Sequence, residues 1–141
     1  MVDMFPAYIQ LQIVTPEREV AEEEVDEVSI PGKEGYLGVL PGHAPLITEL
    51  QSGTLTYRQN TSEHYVAIHW GFAEVLSDRV IVLAESAERA EEIDIEQAER
   101  DRDEAEQYLK TNPESETDIQ KARKELVRAV CRLETAQHMR S

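Results

Sequence analysis

The stretch "RVIVLAESAERAEEIDIEQAERDRDEAEQYLK", residues 79–110, changes its pattern midway. It begins as RVIVLAE, rich in β-branched residues, which reads as a strand. From Ile93 onward it contains neither glycine nor proline and is built from strong helix formers. Asp94 with Gln97 three residues later reads as a helix N-cap pairing. The switch falls within residues 85–92 and divides the chain into two parts of different character.

Upstream of the switch the chain turns often. All six glycines lie there, as do five of the six prolines. In YIQLQIV, residues 8–14, Ile9, Leu11 and Ile13 alternate with Gln10 and Gln12, the period of a half-buried strand. EVDEVSI, residues 24–30, puts Val28 and Ile30 on one face. GTLTYRQ follows a turn at Ser52 and Gly53, and HYVAIHW, residues 64–70, is aromatic and β-branched. Short strands with regular turn signals predict an antiparallel β-sandwich or barrel over residues 1–88.

Downstream, residues 89–141 read as an α-helical hairpin. TNPES, residues 111–115, breaks the first helix. The second resumes with Ile119, Ala122, Leu126, Val130, Leu133 and Ala136 at helical spacing, and Ser115 with Asp118 is its expected cap. Residues 91–110 carry 9 acidic and 3 basic side chains, whereas residues 116–141 carry 4 and 6. Antiparallel pairing sets these opposite charges side by side. The shared apolar seam is thin and largely alanine, so the hairpin is expected to lean on other structure or to rearrange.

Composition bounds the function. The 141 residues carry a formal charge of −15. That argues against nucleic acid, whose phosphates are bound by Lys/Arg patches, and against anionic lipid. Cys131 is the lone cysteine, so neither an intrachain disulfide nor a Cys-rich zinc site can form, and a reducing compartment is expected. No apolar run approaches the roughly 20 residues that span a bilayer, so no direct membrane insertion is expected. The opening MVDMFPAYIQ lacks the basic and apolar regions of a signal peptide.

Few residues suggest catalysis. His43, between Gly42 and Ala44, reads either as a general base or as a loop histidine that meets backbone or a partner. No serine or cysteine nucleophile motif accompanies it. His64 and His69 are an odd number of residues apart on one strand, so they do not form a joint metal site. The glycines of GKEGYLGVLPG lack the order of a phosphate loop, since Lys33 precedes them. The acidic run EREVAEEEVDE, residues 17–27, reads as a solvated edge. Arg128 and Arg132, one helical turn apart, read either as a phosphate grip or as a charged face opposite the acidic first helix.

The stretch EGYLGVLPGHAPLIT, Glu34 to Thr48, resembles the signature of the epsilon subunit of F-type ATP synthases, G-x-x-G-x-x-P-G-H-A-P-L. Gly35, Gly38, Pro41, Gly42, His43, Ala44, Pro45 and Leu46 match it. The resemblance extends through LQIVTPEREV, HWGFAEVLSDRVIVLAESAERAEEID and RAVCRLETA. It implies a ten-stranded sandwich, a helical hairpin and no catalytic residues. It implies a rotor subunit that couples ring rotation to the catalytic head. The partners would be the gamma subunit and the c-ring, with the loop residues Gly35, Tyr36, Leu37, Gly38, Pro41, Gly42 and His43 presented to them.

The same resemblance implies helices that extend into the alpha/beta catalytic head and inhibit ATP hydrolysis, with Arg123, Lys124, Arg128 and Arg132 making the contacts. It also implies a nucleotide site at Ile93, Asp94, Ala98, Arg128 and Arg132. Gln97 replaces the arginine of that motif, so ATP is expected either as a weak regulatory ligand or not at all, and no other cofactor is implied. Tyr36 stands where many bacterial members carry an acidic residue facing the ring, and its aromatic ring is expected to pack on ring loops and offer its hydroxyl, a different contact chemistry. The implied location is peripheral, on the cytoplasmic face of the bacterial inner membrane. The competing readings are a small enzyme using His43 with Glu34 or Glu49, and a free-standing ligand-binding sandwich.

Overall fold

The computed structural model describes residues 7–139. The start of the expected first domain and most of the MVDMFPAYIQ reading lie outside them. Eight strands are present among the described residues, where the family resemblance implied ten. They are β1 (Ile9–Val14), β2 (Glu19–Val25), β3 (Glu27–Gly32), β4 (Gly35–Val39), β5 (Leu46–Leu50), β6 (Gly53–Gln59), β7 (Ser62–Val75) and β8 (Arg79–Arg89). EVDEVSI straddles β2 and β3, because the chain bends at Asp26 between them. The acidic run is largely β2, an edge strand that buries Val20, Ala21 and Val25 and leaves Glu19 and Glu22 exposed.

The strands form one hydrogen-bonded sheet, ordered β2-β1-β8-β7-β5-β3-β4, with β6 joining β3 to β7. It folds over itself as a sandwich. One pairing departs from the antiparallel expectation: β1 runs parallel to β8, Gln10 opposite Arg79 through Val14 opposite Leu83. The long β7 serves both halves of the sheet. Residues Ser62 to Ile68 pair with β6, and Gly71 to Val75 pair with β5.

The change of partner occurs at Trp70 and Gly71, which have φ of 54° and 136°. Gly71 is required there. A Cβ would lie 2.0 Å from the Leu83 carbonyl oxygen, and its φ is one that other residues resist.

The inward positions of the alternating strands build the core. Ile9, Leu11, Ile13, Val28, Ile30, Leu55, Val66, Ile68, Val75, Val80 and Val82 are fully buried. Each contributes roughly 1.5–3 kcal/mol relative to exposure. Arg89 closes the end of β8. Its guanidinium donates to the Val20 carbonyl (3.0 Å) and the Tyr57 hydroxyl (3.0 Å), and faces Glu23 at 3.4 Å.

The chain divides between Arg89 and Ala90 into two compact units. The second unit comprises a 3-10 turn (Ala90–Glu92), α1 (Ile95–Lys110) and α2 (Glu116–Gln137). Both expected caps form: Asp94 accepts the Gln97 N–H and Ser115 accepts the Asp118 N–H. Asn112, at φ 54°, helps reverse the chain between the helices. Both helices bury alanines at seven-residue spacing, Ala98 and Ala105 on α1 and Ala122, Ala129 and Ala136 on α2, and α2 also buries Cys131 and Thr135.

Candidate functional site

The stretch expected to be one loop is a strand followed by a loop. Gly35, Tyr36, Leu37 and Gly38 belong to β4, the edge of the sheet beside β3. Leu40 to Pro45 form the loop proper. Its turn is fixed at both ends: His43 donates its backbone N–H to the Leu40 carbonyl (3.2 Å), and Gly42 donates to the Ser77 carbonyl in the β7–β8 turn (2.8 Å). Pro41 and Pro45 fix φ on either side. The result is a stiff projection held by a neighbouring strand connection.

His43 is half-buried there, and its Nδ1 lies 2.6 Å from the Ala44 carbonyl oxygen. Glu49, a candidate catalytic partner, instead pairs with Lys33 at 3.0 Å, and hydrogen bonding to Glu49 raises the pKa of the Lys33 ammonium. His64 stacks on Tyr57 with ring centroids 4.9 Å apart, and His69 is buried beside Ser52. Among the described residues, no group of three or more His, Cys, Asp or Glu is placed to hold a metal ion.

The Tyr36 hydroxyl is engaged within the sheet. The β3–β6 ladder runs from Glu27 to Ser29 and goes no further. Beyond it the Pro31 carbonyl accepts the Gln51 N–H, and the Tyr36 hydroxyl accepts the Thr54 N–H at 3.0 Å. A Cβ on Gly53 would lie 2.7 Å from that hydroxyl and 2.7 Å from the Pro31 Cβ, so glycine admits the arrangement. The phenol is pinned to its own sheet. With the residue 58% exposed, the ring rather than the hydroxyl is what it offers outward.

A second surface was not anticipated. Ile47, Phe72 and Leu83 are strongly exposed large apolar residues. The registers place them together on the outward face: Phe72 opposite Leu83, Glu74 opposite Ile81 and Ile47 opposite Glu74. A groove of about 610 Å³ beside the Trp70 kink runs from Val14 and Pro16 to Phe72 and Leu83. The signal was present in the sequence: EVLSDRVIVLAE is apolar at both parities, so one of its faces had to be the outer one.

In the helical unit three of the expected nucleotide residues are engaged or buried. Asp94 is engaged as the α1 cap, Ala98 is fully buried in the seam and Ile93 is buried. Arg128 and Arg132 line a groove of about 330 Å³ with Asp101, Glu104, Glu125 and Ala129. Arg132 Nη1 faces Asp101 at 3.6 Å, and Gln97 donates to the other oxygen of that carboxylate at 2.7 Å. Arg123 and Lys124 are exposed on α2.

Comparison with known proteins adds to this geometry. The beta-sandwich domain model of the ATP synthase delta/epsilon chain matches residues 8–90, and its long alpha-helix domain model matches residues 91–137. The chain is 48% identical over 135 residues to the ATP synthase epsilon chain of Solibacter usitatus, covering 93% of this chain and 97% of that one. It is 49% identical over 131 residues to the epsilon chain of Moorella thermoacetica, covering 92% and 97%. Its fold resembles a chain in the mitochondrial ATP synthase of Euglena gracilis, with a TM-score of 0.70 and 24% identity over 99% of this chain and 84% of that one. A chain from the central stalk and c-ring of the Tetrahymena thermophila enzyme gives 0.58 and 16%, over 91% and 96%.

Proposed function

Because this chain belongs to the ATP synthase delta/epsilon chain family, we propose that it acts as a rotor subunit whose sandwich transmits torque and whose helices restrain hydrolysis. As an epsilon-type subunit it is a component of the synthase rather than a catalyst. The sandwich binds the gamma subunit and rests on the c-ring. The helices reach the alpha/beta head when they extend, with Arg123, Lys124, Arg128 and Arg132 meeting acidic surface there. Among the described residues no helix is long and apolar enough to cross a membrane. A peripheral position on the cytoplasmic face of a bacterial inner membrane, through the ring, fits the reading.

The observation that carries it is the pairing of two surfaces on one stiff body. The Leu40 to Pro45 projection is tied to the β7–β8 turn by Gly42. The Ile47, Phe72 and Leu83 face is apolar and exposed. Torque passes through a body that does not deform, and an apolar patch suits a lasting contact. The gamma subunit is assigned to the apolar face and the ring to the projection. ATP is at most a weak ligand of the helices.

The test compares assembled synthase carrying the full chain with synthase lacking residues 90–141. Arg89 is retained because it anchors the sandwich. Assembly and synthesis should persist while ATP hydrolysis rises. Equal hydrolysis at matched assembly would show that the helices are not the restraint.

A further inference from the structure

The buried residues of α1 are Ala98 and Ala105, and those of α2 are Ala122, Ala129 and Ala136 with Cys131 and Thr135, so most of them contribute a single methyl group. Such a seam lets the helices approach closely but supplies little apolar area. Polar contacts across the helices therefore carry unusual weight. Asp101 on α1 makes one of them. One of its carboxylate oxygens faces Arg132 of α2 at 3.6 Å, and the Arg132 side chain is only 16% exposed. The other oxygen accepts Gln97 Nε2 at 2.7 Å, and the Gln97 side-chain carbonyl in turn accepts Arg100 at 2.9 Å. The carboxylate is thus held in place from one side and paired from the other. Removing one partner of such a pair is costly where the other is shielded from water, because the remaining charge stays desolvated.

We propose that Asp101 and Arg132, braced by Gln97, form the latch that keeps the hairpin closed, and that closure needs no nucleotide. The groove beside the latch contains two guanidiniums, Arg128 and Arg132, and three carboxylates, Asp101, Glu104 and Glu125. A polyphosphate entering it meets excess negative charge. To take Arg132 it must displace Asp101, which severs the link to α1. Both arginines lie on α2, so phosphate bound to them does not bridge the helices. The latch goes beyond the proposed function and rests on it only for what the helices do once open.

A thiol placed in the seam supplies the reporter. Ala129 is 2% exposed on α2, and Ala129→Cys in a Cys131→Ser background leaves that position as the lone cysteine. This full-length reporter protein, taken as the native reference, is labelled with a thiol reagent at low and high salt, with and without millimolar magnesium ATP. The expected result is slow labelling of the native protein, quickened by salt and not slowed by ATP. Asp101→Asn should label several-fold faster with a flattened salt dependence. The exchanged pair, Asp101→Arg with Arg132→Asp, should return the rate toward the native one. Labelling of Asp101→Asn at the native rate would overturn the latch, as would a several-fold slowing by ATP. Circular dichroism of each variant separates opening from unfolding. Native-like latch behaviour with unchanged hydrolysis in the truncated synthase would count against the proposed restraint alone.

Discussion

The Tyr36 hydroxyl accepts the backbone N–H of Thr54 at 3.0 Å, beyond the point where the β3–β6 ladder ends. This bond joins the edge strand β4 to β6. Tyr36→Phe keeps the ring and removes the acceptor. It should cost about 0.5–1.5 kcal/mol, the net value of one such bond. A thermal melt of the isolated protein measures it. An unchanged melting temperature would mean that water replaces the hydroxyl at no cost.

Glycines in the sandwich should divide sharply. Gly71 carries φ 136° and faces the Leu83 carbonyl, whereas a Cβ on Gly38 meets nothing within 4 Å. Gly71→Ala should therefore destabilise by roughly 2–4 kcal/mol. Gly38→Ala should fall within about 0.5 kcal/mol of the native protein. Urea unfolding of the two variants compares them directly, and similar losses would refute the assignment of the kink to Gly71.

The edge strand β2 carries a pH-dependent repulsion. Hydrogen bonding to Glu19 raises the Glu22 pKa above its ordinary value, and the Glu19 charge adds to the effect. The folded protein then holds a proton at Glu22 that the unfolded chain releases, so stability falls as pH rises through the folded pKa. Glu22→Gln should melt higher than the native protein at neutral pH. The difference should vanish below the ordinary carboxylate range. A gain that persisted in acid would point to a cause other than charge.

His43 presents a different expectation. Its ring contact is with the neighbouring Ala44 carbonyl, and the turn is closed by backbone groups of Gly42 and His43. His43→Ala should leave the isolated sandwich within about 0.5 kcal/mol of native. Its effect should appear in the assembled synthase, as weaker retention of the subunit or poorer coupling of proton flow to synthesis. A loss of several kcal/mol in the isolated chain would make His43 a structural hub instead.

The Arg89 anchor supplies a further measurement. Arg89→Met keeps much of the apolar stem but loses the bonds to Val20, Tyr57 and Glu23. Depriving the Val20 carbonyl and Tyr57 hydroxyl of this donor should cost about 1–3 kcal/mol. Hydrogen exchange should localise the loosening to β2, β6 and the end of β8. Protection unchanged in those strands would shift the anchor elsewhere.

Strand or helix character, the two helix caps and the course of α1 and α2 were legible in the amino-acid order. Those features depend on near neighbours: alternation along one strand, a carboxylate or hydroxyl three residues from an N–H, a run without glycine or proline. The family signature was legible for the same reason, being a contiguous string from Gly35 to Leu46. Other features exist only in the folded chain. Gly35 to Gly38 read as loop because glycines weaken the strand signal, yet β3 supplies a ladder that makes them an edge strand. The parallel pairing of β1 with β8 sets Gln10 opposite Arg79, and nothing local encodes it. The Tyr36 hydroxyl turns inward because β3 stops pairing with β6 after Ser29 and the Thr54 N–H comes within its reach. The outward grouping of Ile47, Phe72 and Leu83 has the same origin, since three separate strands bring them together only through their register. So does the meeting of Asp101 with Arg132, which the turn between the helices sets. Local rules settle what each segment becomes, because their energies act within a few residues. Which segments meet depends on closing long loops around one core, and the packing of the whole chain decides that.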